Sequence, residues 1–477
     1  MSSTAAYLGI DLGTSSVKVI VLDSAGTPLG GTSRDYPVHS PWPGTAETDP
    51  ADWWAATSAA VREITGGLAS DVSVRGVAVG GQMHGLVLAK ADGTPLRDAL
   101  TWADSRAASV LTNWRRLPQK LRTMLANPIA PGMTGPLLDW VRRHQPELVA
   151  ASRWALLPKD WLRMRLTGEP ATDPSDASAT LLWDVPGDKW ASDVLVSLDL
   201  PYELLPPVIE SGAPAGTLLA TAAEELGLPA GIPVATGSGD TAASVLAAKL
   251  GVGDTLVTVG TGAQAVQLRT TPTASPHPVT QLYRAAAPAL WYEMGAVQNA
   301  GIALDWVRAA LNASWDELYA TLDEGIPEAG PVFVPYLTGE RTPVLDDRVR
   351  GGWSGLDLAH GRAELLRASA IGVVCGIRHA LESLAGERST RVVIGGGGTS
   401  TPAMRQLMAD VFGVPVAPLV FRNVSANGAA LLAAQAAGDD LELASPTEES
   451  VVPGKSREAA ETSYQRYLAE VDRLTRV

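Results

Sequence analysis

The chain has 477 residues, of which 46% are hydrophobic, enough for two or more domains with substantial cores. Its net charge of −14, with no long basic run to offset it, excludes nucleic acid as a partner, because a phosphate backbone would be repelled. Cys375 is the single cysteine, so an internal disulfide is excluded and a reducing compartment is expected. No apolar run reaches the roughly 20 residues that cross a bilayer, and the first residues lack a basic stretch followed by an apolar core, so no membrane partner and a cytoplasmic location are expected.

In chain order, three short strands are expected over residues 7–11, 17–23 and 29–37, joined by a Gly-Thr-Ser-Ser turn at 13–16 and a turn at 24–28. A helix follows Asp52. The apolar run 74–80 reads as a strand and ends in "GGQMHG". The stretch to about Trp190 is richer in tryptophan and proline. At Ile232 the opening pattern returns: "PVATGSGD" is a strand ending in an acid, "TAASVLAAKL" a helix, and "DTLVTVGTGAQAVQL" a strand, turn and strand. The hairpins 7–37 and 254–268 share Gly-Thr at their turns, Gly13-Thr14 and Gly260-Thr261, which predicts two similar α/β units facing one cleft, divided near residue 240. A strand over 391–395 runs into glycines, a helix with a glycine stop spans 401–413, and 457–477 is a charged amphipathic helix.

Three glycine-rich turns, 13–16, 260–262 and 395–398, stand at strand ends, where backbone amides can converge on an anion without a Cβ in the way. The "GKS" at 454–456 is no P-loop, since Glu449 occupies the place of the first glycine and no strand precedes it. The run at 395–398 comes too late in the chain for the opening unit of a dinucleotide fold. Asp11, beside the first turn, reads either as a turn cap or as a metal carboxylate. Asp240 reads either as a helix N-cap or as a base that takes the proton of an attacking hydroxyl. Gln82, Met83 and His84, with Trp102, Asp104 and Arg106, combine a flat apolar wall with hydrogen-bonding groups, as a polyol site does. His84 lies between Gly80-Gly81 and Gly85, which is expected to bring its ring into the cleft without backbone strain. No spacing fits a structural zinc, and no G-x-S-x-G elbow is present.

Taken together, these blocks resemble the FGGY family of carbohydrate kinases almost end to end. "YLGIDLGTSSVKVIVLD", "GGQMHG", "LLPKDWLRMRLTGEPATDPSDAS", "GSGDTAA", "VPYLTGERTP" and the glycines near 395 stand in the family's order. The resemblance implies an α/β fold of two actin-like (ribonuclease H-like) ATPase domains, 1–240 and 241–477, with the active site in the interdomain cleft. It implies ATP and Mg²⁺ as cofactors and a small sugar as partner, with a pentulose, D-xylulose first, phosphorylated on its terminal hydroxyl; a homodimer is compatible with it. Asp240 would be the catalytic base and would also touch the sugar, and Asp11 would hold the metal. Gly13, Thr14, Ser15 and Lys18 would lie along the phosphates, Gly260, Thr261 and Gly262 would meet them from the other side, and Gly396, Gly397 and Gly398 would underlie the adenosine. Gln82, Met83, His84, Trp102 and Asp104 would line the sugar pocket. The alternatives are a kinase of this fold acting on another polyol such as ribulose, and an actin-like nucleotide switch without a sugar. Four departures from the family pattern stand out: Met133 in place of phenylalanine, Leu137 of lysine, Ile371 of glutamate, and Thr399-Ser400-Thr401 of Ala-Arg-Ser. The first two are expected at the lid over the sugar and the last at the nucleotide.

Overall fold

The computed structural model describes residues 4–421, 423–443 and 446–476; Val477, in the expected tail helix, lies outside them. Two large sheets organise the chain. The first contains β1 (Thr4–Leu12), β2 (Ser16–Asp23), β3 (Pro28–Asp35), β4 (Val72–Gly81), β5 (Pro214–Thr217), β6 (Pro233–Ala235) and β7 (Ser238–Gly239). Their order is β5-β6-β4-β1-β2-β3, with β7 pairing the far end of β4. The second contains β8 (Thr255–Val259), β9 (Ala263–Arg269), β10 (Gln281–Arg284), β11 (Trp291–Val297), β12 (Val392–Gly395) and β13 (Val416–Pro418), in the order β10-β11-β9-β8-β12-β13. In each sheet the opening strand is antiparallel to its hairpin partner and parallel to a later strand on its other side. The series β3-β2-β1-β4-β6 and β11-β9-β8-β12-β13 therefore have one topology, and the repeat at the two Gly-Thr turns is a repeat of architecture.

Alternation along the strands decides what each face meets. Leu8, Ile10, Val17, Val19 and Val21 pack with Trp53 and Val61 of α1 (Pro50–Gly67). Tyr7, Ile20 and Leu22 point the other way and share a core with Leu256, Val266 and Tyr292 of the second sheet. Helix α1 begins earlier than the reading from Asp52 placed it: Asp49 is its N-cap and accepts from the Ala51 amide, Pro50 opens the first turn, and Asp52 lies within that turn. The second sheet's other face is covered by α3 (Arg362–Glu382), through Val374 and Ile377.

Between the two sheets lie α2 (Asp240–Ala247) and α4 (Val424–Ala436). Helix α4 follows the last strand of the second sheet yet packs on β1 and β4 of the first. Its sequence, VSANGAALLAAQA, is dominated by alanine, glycine and serine, and the contact needs them. A Cβ on Gly9 would collide with the Ala426 carbonyl, and one on Gly428 with the Ala243 carbonyl. These two glycines let strand, helix and helix approach at backbone distance, so the halves are knitted by α4. Among the described residues no helix is long and apolar enough to cross a membrane.

Candidate active site

The first hairpin turn is closed by the Gly13 amide donating to the Ser16 carbonyl at 3.0 Å. The Gly13 carbonyl is held by the Tyr36 hydroxyl and by Gln82 Nε2, the latter at 3.1 Å. The amides of Thr14 and Ser15 donate to no acceptor among the described residues, and neither do those of Thr261 and Gly262 in the second turn, where Gly260 N donates to Gly262 O at 2.8 Å. Each turn is thus fixed by its glycine and offers two unused donors, as an anion cradle requires.

The two hairpins, Asp240 and the start of α4 meet at a cavity of about 170 Å³ lined by Asp11, Lys18, Asp240, Thr258, Gln264 and Ser425. Asp11 is buried; Ser425 Oγ donates to its Oδ1 at 3.0 Å and Lys18 Nζ stands 3.9 Å from its Oδ2. Burial pushes its carboxyl up, with Lys18 and Ser425 only partly opposing the shift. Asp240 is pushed up to about 6, first by burial and then by the charge of Asp11, against the pull of the Thr241 amide and hydroxyl and of Lys18. The capping alternative for Asp240 is corrected here. Gly239 occupies the N-cap, and Asp240 is the first helical residue, its Oδ1 accepting from the adjacent Thr241 amide at 2.6 Å. An N-cap side chain reaches two or three residues ahead. This carboxylate does not.

On the sugar side expected from the sequence, Gln82 and Met83 are buried, and Met83 Sδ accepts from the Tyr292 hydroxyl at 3.5 Å. His84 has φ of 64°, so the expectation of an unstrained backbone is corrected: the flanking glycines do not spare it the left-handed region. Its Nδ1 lies 2.7 Å from the Ala179 carbonyl, which can only accept, so Nδ1 carries the proton and Nε2 presents a lone pair. Burial above all pushes the imidazole down to about 4, keeping it neutral. Trp102, half-exposed, donates from Nε1 to Thr14 Oγ1 at 2.9 Å, tying this wall to the first turn. Asp104 is buried with both oxygens engaged, by Arg106 and by the Ala46 amide, behind the turn that carries Trp102. Two residues of the second half, unremarked in the sequence, come to this wall: the Tyr283 ring meets the His84 ring edge-on at 6.1 Å, and the Arg341 guanidinium stands 5.7 Å from the Trp102 ring.

A larger cavity of about 600 Å³ opens at the second turn, lined by Gly260, Thr261, Gly301, Gly397, Gly398 and Ser400 with an apolar wall that includes Ile302, Trp315 and Met404. Gly396 lies beneath, at φ of 89°, where a Cβ would strike the Val259 carbonyl. Trp315, stacked on Tyr319 at 5.7 Å, supplies a flat surface that the glycine pattern gave no sign of. The volume suits a nucleoside.

Family models match both halves: that of the FGGY family of carbohydrate kinases, N-terminal domain, over residues 6–247, and that of its C-terminal domain over 255–437. The chain is 35% identical over 470 residues to a xylulose kinase of Escherichia coli (strain K12), covering 95% of this chain and 96% of that one. It is 34% identical over 442 residues to a xylulose kinase of Bacillus subtilis (strain 168), covering 90% and 88%. A crystal structure of xylulose kinase from Rhodospirillum rubrum superposes with a TM-score of 0.91 at 29% identity, over 98% of this chain and 99% of that one.

Proposed function

The chain belongs to the FGGY family of carbohydrate kinases, and from that membership we propose that it transfers the γ-phosphoryl group of ATP to the terminal hydroxyl of a pentulose, D-xylulose first. We place the sugar site and first phosphate hairpin in 1–240 and the nucleotide site in 241–477. The adenosine lies in the larger cavity over Gly396–Gly398, with its phosphates running past Gly260–Gly262 toward the amides of Thr14 and Ser15 and the ammonium of Lys18. Asp240 accepts the proton of the sugar hydroxyl as that oxygen attacks the γ-phosphorus; the bond to the β,γ-bridging oxygen breaks and ADP leaves. Neutral His84 accepts a hydrogen bond from a second sugar hydroxyl through Nε2. Gln82, Met83 and Trp102 line the rest of the pocket, with Asp104 acting from behind through Arg106 and the Trp102 turn.

Asp11 fits Mg²⁺: its carboxylate is buried without a close cation, since Lys18 is 3.9 Å away, and Ser425 occupies one oxygen. Among the described residues no group of three or more histidine, cysteine or acidic side chains could hold a metal, so Asp11 would hold Mg²⁺ together with phosphate oxygens and water. When bound, Mg²⁺ neutralises charge on the phosphates.

The observation that supports the reading best is the one cavity into which both hairpins, Asp11 and Asp240 project. A coupled ADP-release assay across pentuloses, hexuloses and glycerol tests it. Turnover is expected to be highest with D-xylulose. A hexulose or glycerol preferred over every pentulose overturns the substrate, and sugar-independent ATP turnover overturns the transfer.

A further inference from the structure

Beneath Asp240 lies the block "LLPKDWLRMRLTGEPATDPSDAS", to which the catalytic reading above gives no task. Lys159, Asp160, Asp173, Ser175, Asp176 and Ser211 are all fully buried. The Lys159 ammonium pairs with Asp160, with Asp173 at 3.0 Å and with Asp176 at 3.4 Å. Removing such charges from water costs about as much as their attraction returns, and apolar fillings of similar volume are often at least as stable. The cluster therefore calls for a role other than stability.

Its hydrogen bonds lead to one place. Asp173 Oδ2 accepts from Ser175 Oγ at 2.6 Å and from Ser211 Oγ at 2.7 Å. With its proton committed to Asp173, Ser175 Oγ turns a lone pair outward and accepts from the Gly239 amide at 3.0 Å. Gly239 directly precedes Asp240 and belongs to a strand that pairs β4 through only two residues, Ser238 with Gly80 and Gly239 with Gly81. A Cβ on Gly239 would stand 2.9 Å from Met83 Cγ, so this turn also abuts the proposed sugar wall. Four residues beyond Ser175, the Ala179 carbonyl holds His84 Nδ1. One short segment thus fixes both the turn carrying the proposed base and the imidazole proposed to read the sugar.

We propose that Ser175 is a positioning residue for phosphoryl transfer, which holds the Gly239–Asp240 turn in register with the sugar and is itself anchored by the buried Lys159–Asp173 pair. The proposal rests on the assignment of Asp240 as the base. Displacing a reacting group by about 1 Å costs on the order of 10²-fold in rate, so losing this bond acts on the chemical step more than on either binding step.

The test exploits the two serines that donate to the same oxygen of Asp173. Ser175→Ala and Ser211→Ala each delete one buried hydroxyl donor to Asp173 Oδ2, but only Ser175 touches Gly239. In the full-length enzyme, with whichever sugar the wild type turns over, Ser175→Ala is expected to lower kcat about 10- to 100-fold. The KM for ATP and the KM for sugar should each stay within about threefold. Ser211→Ala should lose a comparable amount of thermal stability while keeping kcat within about twofold, and Ser175→Thr, which restores the hydroxyl, should recover most of the lost rate. Equal kcat losses in the two alanine variants, or full kcat in Ser175→Ala, would overturn the proposal. If Ser175→Ala does not fold, Ser175→Gly, which likewise removes the acceptor for the Gly239 amide, is read by the same criteria. Asp240→Asn run alongside separates the two ideas: an inactive Asp240→Asn with a fully active Ser175→Ala refutes only the positioning role, whereas an active Asp240→Asn removes the base on which it rests.

Discussion

Replacing Asp240 with asparagine is expected to stabilise the protein while nearly abolishing turnover. The carboxyl rises from an ordinary 3.8 to about 6, because it is withdrawn from water and faces the charge of Asp11. Between those two values the folded chain holds a proton that the unfolded chain has released. The group therefore costs nothing below about pH 4, its penalty grows as pH climbs through that window, and the full penalty applies above about pH 6. A shift of about two units corresponds to ~3 kcal/mol at most, and screening of a partly exposed residue reduces this to ~1–2 kcal/mol. Asparagine keeps an oxygen for the Thr241 amide, which Asp240 Oδ1 meets at 2.6 Å, but carries no charge. Thermal melts of both proteins at pH 8 and at about pH 3.5 should show the variant higher by a few degrees at pH 8 and the two nearly equal at the lower pH. In the ADP-release assay kcat should fall by roughly 10² to 10⁴. Normal turnover would refute the base, and a stability gain equal at both pH values would refute the electrostatic argument.

Asp11→Asn should raise the Mg²⁺ concentration needed for half-maximal activity and lower kcat, leaving sugar binding without nucleotide unchanged by calorimetry; an unaltered Mg²⁺ profile returns Asp11 to a turn cap. His84→Ala should lower kcat/KM for D-xylulose by about 10- to 100-fold, ~1.5–3 kcal/mol, with the KM for ATP little changed. Because His84 titrates near 4, it should add no inflection to the pH profile above about pH 5; an inflection near 6.5 lost with His84 would contradict its neutral state. Gly396→Ala forces a side chain into the left-handed region and onto the Val259 carbonyl. Strain of ~1–3 kcal/mol should raise the KM for ATP or lower Tm, and wild-type values of both would count against the glycine run as the nucleotide floor.

The two hairpins were legible because their alternation and Gly-Thr turns are local patterns, and local patterns survive in sequence. Asp240 was legible as one of two things, and geometry removed only the cap, because a cap is recognised by the amide its carboxylate accepts from and here that amide is the adjacent Thr241. What could not be read were contributions from distant chain. Ser425 reaches Asp11 only because α4 crosses back over the first sheet, a crossing written as glycine and alanine, which carry no chemical signature. Tyr283 and Arg341 reach the His84 and Trp102 wall from the second half, across a separation in sequence that no periodicity spans. The strain at His84 was hidden for a related reason: neighbouring glycines suggested freedom, while the Ala179 carbonyl that fixes the ring lies 95 residues on.

The four departures from the family pattern sort by what surrounds them. Met133 and Leu137 are buried in the core of the middle region with Trp114 and Leu182. Leucine at 137, fully buried, fills that core, and a lysine there would need a counter-charge. The neighbouring Gly132 meets the backbone on either side of the proposed sugar wall: its carbonyl accepts from the Gly85 amide at 3.3 Å, and a Cβ on it would collide with the Trp102 carbonyl. Ile371 belongs to α3 itself and is buried in the core that this helix shares with the second sheet. Thr399 donates to the Gly396 carbonyl at 2.9 Å, and Thr401 caps the helix Pro402–Phe412 by accepting from the Met404 amide, so two of the three residues at the nucleotide side hold the glycine run and the next helix in place. Only Ser400 lines the larger cavity, where the family pattern has arginine. On the nucleotide placement proposed above, a cation at this position would attract the polyphosphate without touching the reacting atoms, so Ser400→Arg should lower the KM for ATP, more at low ionic strength than at high, and leave kcat unchanged. A KM that stays constant across salt concentrations would place the position outside the reach of the phosphates.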